Sequence, residues 1–291
     1  MPESAPVSFA CACASSSIAT PLSADIRVAI ATYEGDPALL RCVFAAAAAQ
    51  TEHDVLVIDM SRTDVVVDAA KETGGVDVVR LRESRGVSHS RNECVRRAGT
   101  RYVLFLDSDA VPEAGWLDAM RAAFEQPGVA IVGARVLPAW PRRPPPLIDS
   151  VTARDWISMF DLGDEPQPVP RVMGTSYALD RERMGEAPFD EALGRRPGID
   201  IAHEEVQLAL DAARAGWRCW YAPAAVVHHH IDCDRTTWRF MMRRAFTAGR
   251  EIALWPADGI EPLPRPPYTW RDRAFRVLVA PAFLAGRLRG L

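Results

Sequence analysis

The central segment of the chain reads Arg101-Tyr-Val-Leu-Phe-Leu-Asp-Ser-Asp109. Its apolar run, residues 102–106, is typical of a strand that is buried on both faces of a parallel sheet. The run ends in Asp107 and Asp109, whose charges are costly to bury without a partner. Ligands of open α/β sheets bind at the carboxyl ends of strands, and paired carboxylates suit Mg²⁺ or Mn²⁺. The segment predicts a metal site with phosphate nearby or, alternatively, caps of a helix that starts near Pro112.

On both sides of this segment, β-rich runs alternate with helical patterns. Strands are predicted at 26–32, 53–59, 76–81, 102–106, 129–136 and 172–179, and as two short pieces at 217–221 and 224–228 around Pro223. Helices are predicted at 38–50, 65–73, 87–99, 112–126, 203–216 and 236–252. Residues 138–146 are predicted to lack regular structure because they are rich in proline. The alternation predicts an α/β fold with a mostly parallel sheet and helices on both faces.

Composition narrows the class of protein. The chain has 291 residues, of which 48% are hydrophobic, and a net charge of -4, which disfavours nucleic acid as a partner. Six cysteines without framework spacing favour a reduced, cytoplasmic protein. No apolar run reaches the roughly 18 residues of a membrane span. We expect a disordered leader at 1–24, one domain at 25–255, and a Pro-rich linker with a basic amphipathic segment at 256–291.

The C-terminal segment, residues 270–291, has two interpretations. Its apolar core is flanked by arginines at positions 271, 273, 276, 287 and 289. One interpretation is a partly ordered surface helix. The other is an interfacial helix on an anionic membrane. Pro281 in the middle weakens both interpretations.

Several motifs, in a fixed order, resemble those of the family 2 glycosyltransferases. The resemblance covers about residues 26–252. It rests on the segments Ala29–Tyr33, Val57–Ser61, Arg85–Asn92, Phe105–Asp109, Gly174–Thr175, Pro188–Glu191 and Glu204–Glu205, and on His229 after Pro223. The resemblance implies a GT-A fold, in which a mostly parallel nucleotide-binding sheet adjoins a smaller mixed sheet on the acceptor side.

The resemblance also implies an activity and a set of binding residues. The implied reaction is a hexosyltransferase-like transfer of a single sugar, with inversion, from a nucleotide-sugar donor to a hydroxyl group. Asp109 and His229 are the implied ligands of a divalent cation, and Asp107 the implied contact to the ribose or to the metal. The nucleotide contacts implied on the donor side are Thr32, Tyr33, Glu34, Asp59 and Arg91.

The candidate base is a glutamate. An attacking hydroxyl loses its proton, and a carboxylate opposite the leaving group can accept it. Glu205 occupies the position at which the family usually has aspartate, so it is the first candidate, and Glu204 is the rival. The alternative is that both acids only stabilise the first turn of a helix.

The three consecutive histidines, His228 to His230, leave the choice of ligand open. Alternation along a strand places His229 on one face and its two neighbours on the other. An alternative is a zinc site with Cys233, although structural zinc usually has four ligands at defined spacing.

Two further functions compete with single-sugar transfer. A sugar nucleotidyltransferase would be expected to carry a basic, Gly-rich loop after the first strand, whereas residues 32–36 contain one glycine and no Lys or Arg. The second competing function is that of a non-catalytic module that binds a sugar nucleotide or a glycan. The segment Trp238–Arg244 lacks the Gln-x-x-Arg-Trp motif of processive members, which disfavours a polymer synthase. The acceptor is left open as a glycan, a lipid or a small molecule.

Overall fold

The computed structural model of the protein describes residues 25–83, 85–194, 203–254, 262–265 and 268–290. The predicted leader at 1–24 lies outside the described residues, as do positions 256–261, 266 and 267 of the predicted linker.

The described residues form nine strands and nine α-helices. The strands are β1 (Ile26–Thr32), β2 (Val55–Asp59), β3 (Val76–Arg80), β4 (Tyr102–Leu106), β5 (Ala110–Pro112), β6 (Val129–Ala139), β7 (Gln167–Val169), β8 (Ser176–Asp180) and β9 (Arg218–His230). The helices are α1 (Pro37–Ala48), α2 (Val65–Thr73), α3 (Val87–Arg97), α4 (Trp116–Ala123), α5 (Val151–Trp156), α6 (Arg181–Met184), α7 (Glu204–Arg214), α8 (Trp238–Leu254) and α9 (Trp270–Gly290).

All nine strands of the described residues belong to one sheet, in the order β3-β2-β1-β4-β8-β6-β9-β5, with β7 also paired to β9. Strands β3, β2, β1 and β4 pair in parallel. Strand β8 is antiparallel to β4 and β6, whereas β6 and β9 are parallel. The predicted fold is confirmed, and its parallel and mixed parts are continuous within this sheet.

The strand order creates a crevice where the site residues converge. Strand β2 lies on one side of β1 and β4 on the other, so the chain changes direction between them. Such a switch point leaves a crevice at the carboxyl ends of the strands. Thr32 ends β1, Asp59 ends β2 and Asp107 follows β4. Apolar burial holds these strands in place: Val103 and Leu104 are fully buried, and each such side chain contributes about 1.5–3 kcal/mol.

The prediction of a helix at 112–126 is wrong at its start. Residues Ala110–Pro112 form β5, which pairs antiparallel with β9. Gly115 then adopts a left-handed φ of 84°, and α4 begins only at Trp116. The long-range pairing with β9 overrides the local helix signal, and it brings the segment after Asp109 against the histidines of β9.

The prediction of two short strands around Pro223 is also wrong. Strand β9 runs without interruption from Arg218 to His230. Its register with β6 shifts, so that Ala134 pairs with Ala222 and Arg135 pairs with Val226. Residues 223–225 form a bulge, and proline is tolerated in bulges because no ladder hydrogen bond is required from it there.

Strand β6 extends into the stretch that was predicted to lack regular structure. It ends at Ala139, one residue after Pro138. The ladder therefore stops soon after the missing N–H donor of proline. The predicted strand at 172–179 begins only at Ser176, and the segment 147–167, which had no predicted element, contains α5.

Helix α9 packs along α8. A Cβ atom on Gly249 would collide with the carbonyl oxygen of Phe283, and one on Gly286 would collide with that of Phe246. The two backbones approach this closely because both positions lack side chains. Within the described residues, no helix is long and apolar enough to cross a membrane.

Candidate active site

The turn after β1 is tied to the ends of β2 and β4. The hydroxyl of Thr32 donates to Ser108 Oγ at 2.9 Å, and the backbone N–H of Glu34 donates to Ser61 Oγ at 2.7 Å. The carboxylate of Glu34 accepts from the Thr63 hydroxyl, and this hydrogen bond lowers the pKa of Glu34. The turn is therefore held in one shape from both sides.

Two predicted nucleotide contacts differ in exposure. Tyr33, at the tip of the turn, is 53% exposed. Asp59 is fully buried: its Oδ1 accepts from the Ser61 N–H at 2.8 Å and its Oδ2 from Arg80 Nε at 3.1 Å. Asp59 thus joins the end of β2 to β3, and its contact to a base or ribose stays a prediction.

Asp109 and His229 meet because β5 pairs with β9. Ala110 lies opposite His229 in the register, which brings Asp109 Oδ2 to 3.3 Å from His229 Nε2. His229 is 2% exposed, whereas His228 points to the other face and contacts Glu113 Oε1 at 2.5 Å. The predicted alternation is confirmed, and of these two histidines His229 is the one that faces Asp109.

The pKa values of the two aspartates after β4 are shifted in opposite directions. Burial and the charge of Asp109 raise the pKa of Asp107 to about 6. Although burial acts to raise it, the hydrogen bond with His229 lowers the pKa of Asp109. The side chain of Asp107 is 39% exposed, and this exposed part faces a cleft that it helps to line.

The groups at this edge fit a divalent cation that is shared with a ligand. Asp109 Oδ2 and His229 Nε2 lie 3.3 Å apart, close enough for both to hold one cation. No group of three or more His, Cys, Asp or Glu residues able to hold a metal occurs in the described part of the chain. Mg²⁺ typically takes one or two carboxylates and completes its shell with phosphates and water. The zinc alternative with Cys233 finds no support among the described residues.

On the other side of the cleft, Arg91 binds both candidate bases. This arginine of α3 lies 2.9 Å from Glu204 Oε1 and 2.8 Å from Glu205 Oε1, and its other nitrogen lies 4.0 Å from Asp107 Oδ1. Its side chain is only 7% exposed, and its guanidinium lies over the ring of Tyr177. Although burial opposes it, these surroundings hold the pKa of Arg91 well above its ordinary value.

The two glutamates differ in their access to the cleft. The side chain of Glu204 is 5% exposed, and that of Glu205 is 15% exposed. A Cβ atom on Gly174 would overlap Glu205 Oε1, so the absence of a side chain there leaves the space for this carboxylate. Glu205 is therefore the better placed of the two to meet a ligand, and its role as base stays a prediction.

The cleft has a volume of about 460 Å³. It joins the end of β4 to helices α3, α5, α7 and α8. Residues that line it include Arg91, Asp107, Trp156, Arg171, Gly174, His203, Glu204, Glu205, Arg244 and Glu251. Of the residues predicted from the motifs, Asp107, Arg91 and both glutamates therefore share one cavity.

Two residues that line the cleft, Arg171 and His203, were not among those predicted from the motifs. Arg171 lies in a loop before β8, and burial lowers the pKa of its guanidinium. His203 precedes α7 with a left-handed φ of 95°, and burial lowers its pKa. Arg171 could have been predicted because it lies three residues before Gly174 of the motif. His203 could have been predicted because it directly precedes the two glutamates.

The family of the chain follows from comparison with known proteins. The model of glycosyl transferase family 2 matches residues 27–166, and that of glycosyl transferase family group 2 matches residues 102–245. Together the two matches cover residues 27–245, which include nearly all of the sheet and most of the residues that line the cleft. The chain belongs to the family 2 glycosyltransferases, a class of enzymes, as the motifs predicted.

Curated relatives and solved structures agree with this family. The pre-mycofactocin glycosyltransferases of two strains of Mycobacterium tuberculosis are 28% identical over 180 residues, which are 62% of this chain and 37% of those proteins. The chain thus matches little more than a third of their length.

Two solved structures share the fold. A mannosyltransferase from Pyrobaculum calidifontis, in complex with GDP-Man and Mn²⁺, has a TM-score of 0.58 and 19% identity over 91% of this chain and 72% of that chain. GalNAc-T7 with UDP, GalNAc and Mn²⁺ has a TM-score of 0.55 and 15% identity over 88% of this chain and 54% of that chain. At these identities the likeness concerns the GT-A fold alone.

Proposed function

We propose that the protein transfers a single sugar from a nucleoside-diphosphate sugar to an acceptor hydroxyl, with a divalent cation and with inversion at the anomeric carbon. One observation carries the proposal: Asp107, after the nucleotide-binding strands, and Glu205, on the acceptor side, line the same cleft with Arg91 between them.

The donor occupies the crevice at the ends of β1, β2 and β4. Tyr33 is exposed to stack on the base, and Thr32, Glu34 and Asp59 hold the turn and strand ends against the nucleoside. Asp109 and His229 would hold a divalent cation, with Asp107 beside them, and this cation would supply positive charge next to the leaving diphosphate. Burial and the charge of Asp109 both raise the pKa of Asp107, and a bound cation would offset both effects.

The acceptor enters the cleft beside α7 and α8. Its hydroxyl oxygen attacks the anomeric carbon as the bond to the diphosphate breaks, and its proton passes to Glu205. Arg91 keeps the carboxylate of Glu205 ionised and oriented, and the buried Glu204 holds Arg91 in place. A single displacement with the base opposite the leaving group inverts the configuration at this carbon.

The proposed class of donor rests on the chemistry of the site and on the ligands of the solved neighbours. The solved neighbours hold GDP-Man or UDP with GalNAc, which supports a nucleoside-diphosphate sugar here. The absence of the processive motif at Trp238–Arg244 supports one transfer per acceptor, which is a glycan, a lipid or a small molecule. A cytoplasmic location, predicted from the cysteines, belongs to the same proposal.

The first test is the thermal stability of the protein with UDP, dTDP and GDP, each with and without Mn²⁺. A ligand at 100 times its dissociation constant stabilises the folded state by about 2.7 kcal/mol. We expect one nucleotide to raise the melting temperature with Mn²⁺ and Asp109→Ala to abolish the rise.

The matched control is Asp118→Ala, which removes a carboxylate that is 55% exposed on α4, away from the cleft. This variant should keep the full rise. If no nucleotide raises the melting temperature with any metal, or if Asp109→Ala and the unaltered protein respond alike, the proposed donor site is wrong. Donor binding without release of nucleoside diphosphate from any sugar nucleotide would favour the non-catalytic module.

A further inference from the structure

Helix α9 is fixed to the domain along one face. Asp272 is buried, and its Oδ1 accepts from the Val151 N–H, at the start of α5, at 2.7 Å. The ring of Phe275 stacks on Trp238 with centroids 5.9 Å apart and meets the edge of Trp156 at 5.4 Å. With the close approach to α8 at Gly286, these contacts determine which face of α9 points away from the protein.

The outward face of α9 carries an apolar stripe. Its members are Trp270, Val277, Leu284 and Leu288, which are 69%, 72%, 57% and 74% exposed. At about 100° per residue, these four positions lie within about 40° of one another around the helix axis. The stripe runs almost the whole length of the helix, which is about 30 Å. Single exposed apolar residues are common on protein surfaces, but a continuous stripe marks an interaction surface.

Arginines flank the stripe on both sides. Arg273, Arg276 and Arg287 lie on one side and Arg271 and Arg289 on the other, and all five are exposed. The only carboxylate in α9, Asp272, faces the protein. Within the described part of the chain, none of these arginines forms an ion pair with a carboxylate. The outward surface of the helix is therefore apolar in the middle and cationic at both margins.

We propose that α9 is an interfacial helix that docks the protein on an anionic lipid bilayer. Trp270, Val277, Leu284 and Leu288 enter the boundary between headgroups and acyl chains, and the flanking arginines bind lipid phosphates. An apolar face between basic margins is the pattern of helices that lie in the plane of a membrane. Each basic residue near an anionic surface strengthens binding, so five arginines add substantially to apolar insertion.

A second copy of the chain is a poorer occupant of this face. Two stripes placed against each other would bring five arginines of one copy beside five of the other, with no exposed carboxylate in α9 to offset them. Like charges at an interface oppose association. An anionic bilayer supplies both an apolar layer and the opposite charge.

Flotation with vesicles tests this proposal on the full chain. We expect the protein to float with vesicles that contain phosphatidylglycerol, to bind less at high salt, and to stay in solution with phosphatidylcholine alone. Leu284→Ser with Leu288→Ser should abolish flotation. Arg273→Gln with Arg287→Gln should weaken binding about tenfold or more.

The matched control is Arg41→Gln with Arg214→Gln, which removes two arginines that are 41% and 66% exposed on α1 and α7. This control should bind as the unaltered protein does. All the substituted side chains of α9 point outward, so unchanged melting temperatures will show that the fold is kept. No binding to anionic vesicles, equal binding after the leucine changes, or a dimer that these changes dissolve would each overturn the proposal. Donor binding, measured separately by nucleotide-dependent stability, does not depend on this helix face, so the two proposals can fail independently.

Discussion

The two sides of the cleft differ in how negative charge is compensated. We call the strand ends with Asp107 and Asp109 the donor edge, and the start of α7 with Glu204 and Glu205 the acceptor side. At the donor edge, Asp107 and Asp109 face each other's charge, and the pKa of Asp107 rises to about 6 through burial and that charge. On the acceptor side, Glu204 and Glu205 share one buried cation, Arg91, at 2.9 and 2.8 Å. Arg91 pairs directly with both glutamates, whereas it lies 4.0 Å from Asp107, and Asp109 is paired with His229 at 3.3 Å.

This difference matches the two roles that we propose, which are binding of the donor with a cation at the donor edge and acceptance of a proton on the acceptor side. A carboxylate pair with only these longer contacts to protein groups is suited to a metal that would arrive with a diphosphate. A carboxylate that is already paired stays ionised and in place whether or not the donor is bound. Changes on the acceptor side should therefore affect the reaction or the stability of the protein, with little effect on binding of the nucleotide.

The largest expected effect comes from Glu205→Gln. The variant keeps the size of the side chain but cannot accept a proton, so the kcat for sugar transfer should fall by about 10²–10⁴-fold. Nucleotide-dependent stabilisation should be unchanged, since the donor edge is intact. Steady-state release of nucleoside diphosphate measures the rate. Glu182→Gln, at a side chain that is 67% exposed on α6, is the control and should be fully active. Equal rates for all three proteins would remove Glu205 from the role of base.

Arg91→Met should cost stability as well as activity. Removing one partner of a buried ion pair leaves uncompensated charge, which costs about 3–5 kcal/mol. Denaturant unfolding measures the loss in the free energy of unfolding. Arg96→Met on the same helix, at an exposed pair with Glu93, should cost about 1 kcal/mol or less. Adding Glu204→Gln to Arg91→Met should restore part of the stability, and a further loss would show that repulsion between the glutamates is not the cause.

Gly174→Ala tests the space for the base. The added methyl group overlaps Glu205 Oε1, so this carboxylate moves while the sheet stays intact. A displacement of about 1 Å costs about 10²-fold in rate. The kcat should therefore fall while the melting temperature changes little. In the Glu205→Gln background the same change should have almost no further effect, and an additive loss would mean that Gly174 acts through another group.

Thr32→Val should give the smallest effect, at the donor edge. It removes the 2.9 Å hydrogen bond to Ser108 and leaves the packing nearly unchanged, so the free energy of unfolding should fall by about 1 kcal/mol. A double-mutant cycle with Ser108→Ala measures the coupling between the two hydroxyls. Additive losses would show that these hydroxyls do not stabilise the turn through each other.

The sequence predicted that polar residues after β1, β2 and β4 lie at one edge of the sheet, because these residues follow local rules. A buried run such as Tyr102–Leu106 must become a strand, and polar residues after such strands collect at one edge of the sheet. The motifs then supplied the family and the residues Thr32, Asp59, Asp107 and Asp109. Local rules gave wrong predictions where strands pair with distant segments. Residues predicted to start a helix form β5, and β9 continues past Pro223 through a bulge.

Taken alone, the sequence determined the α/β class and the family, because hydrophobic periodicity and motif order are local properties of the chain. It also predicted the strand ends at which a nucleotide would bind. Only the tertiary structure decided that Arg91 holds Glu204 and Glu205, more than a hundred positions away. The same is true of the direct contact between His229 and Asp109, which the resemblance implied only as two ligands of one cation, and of which face of α9 is exposed. These relations depend on how β5, α7 and α8 pack, and contacts between segments so far apart are specified by shape and burial in the folded state rather than by any local pattern.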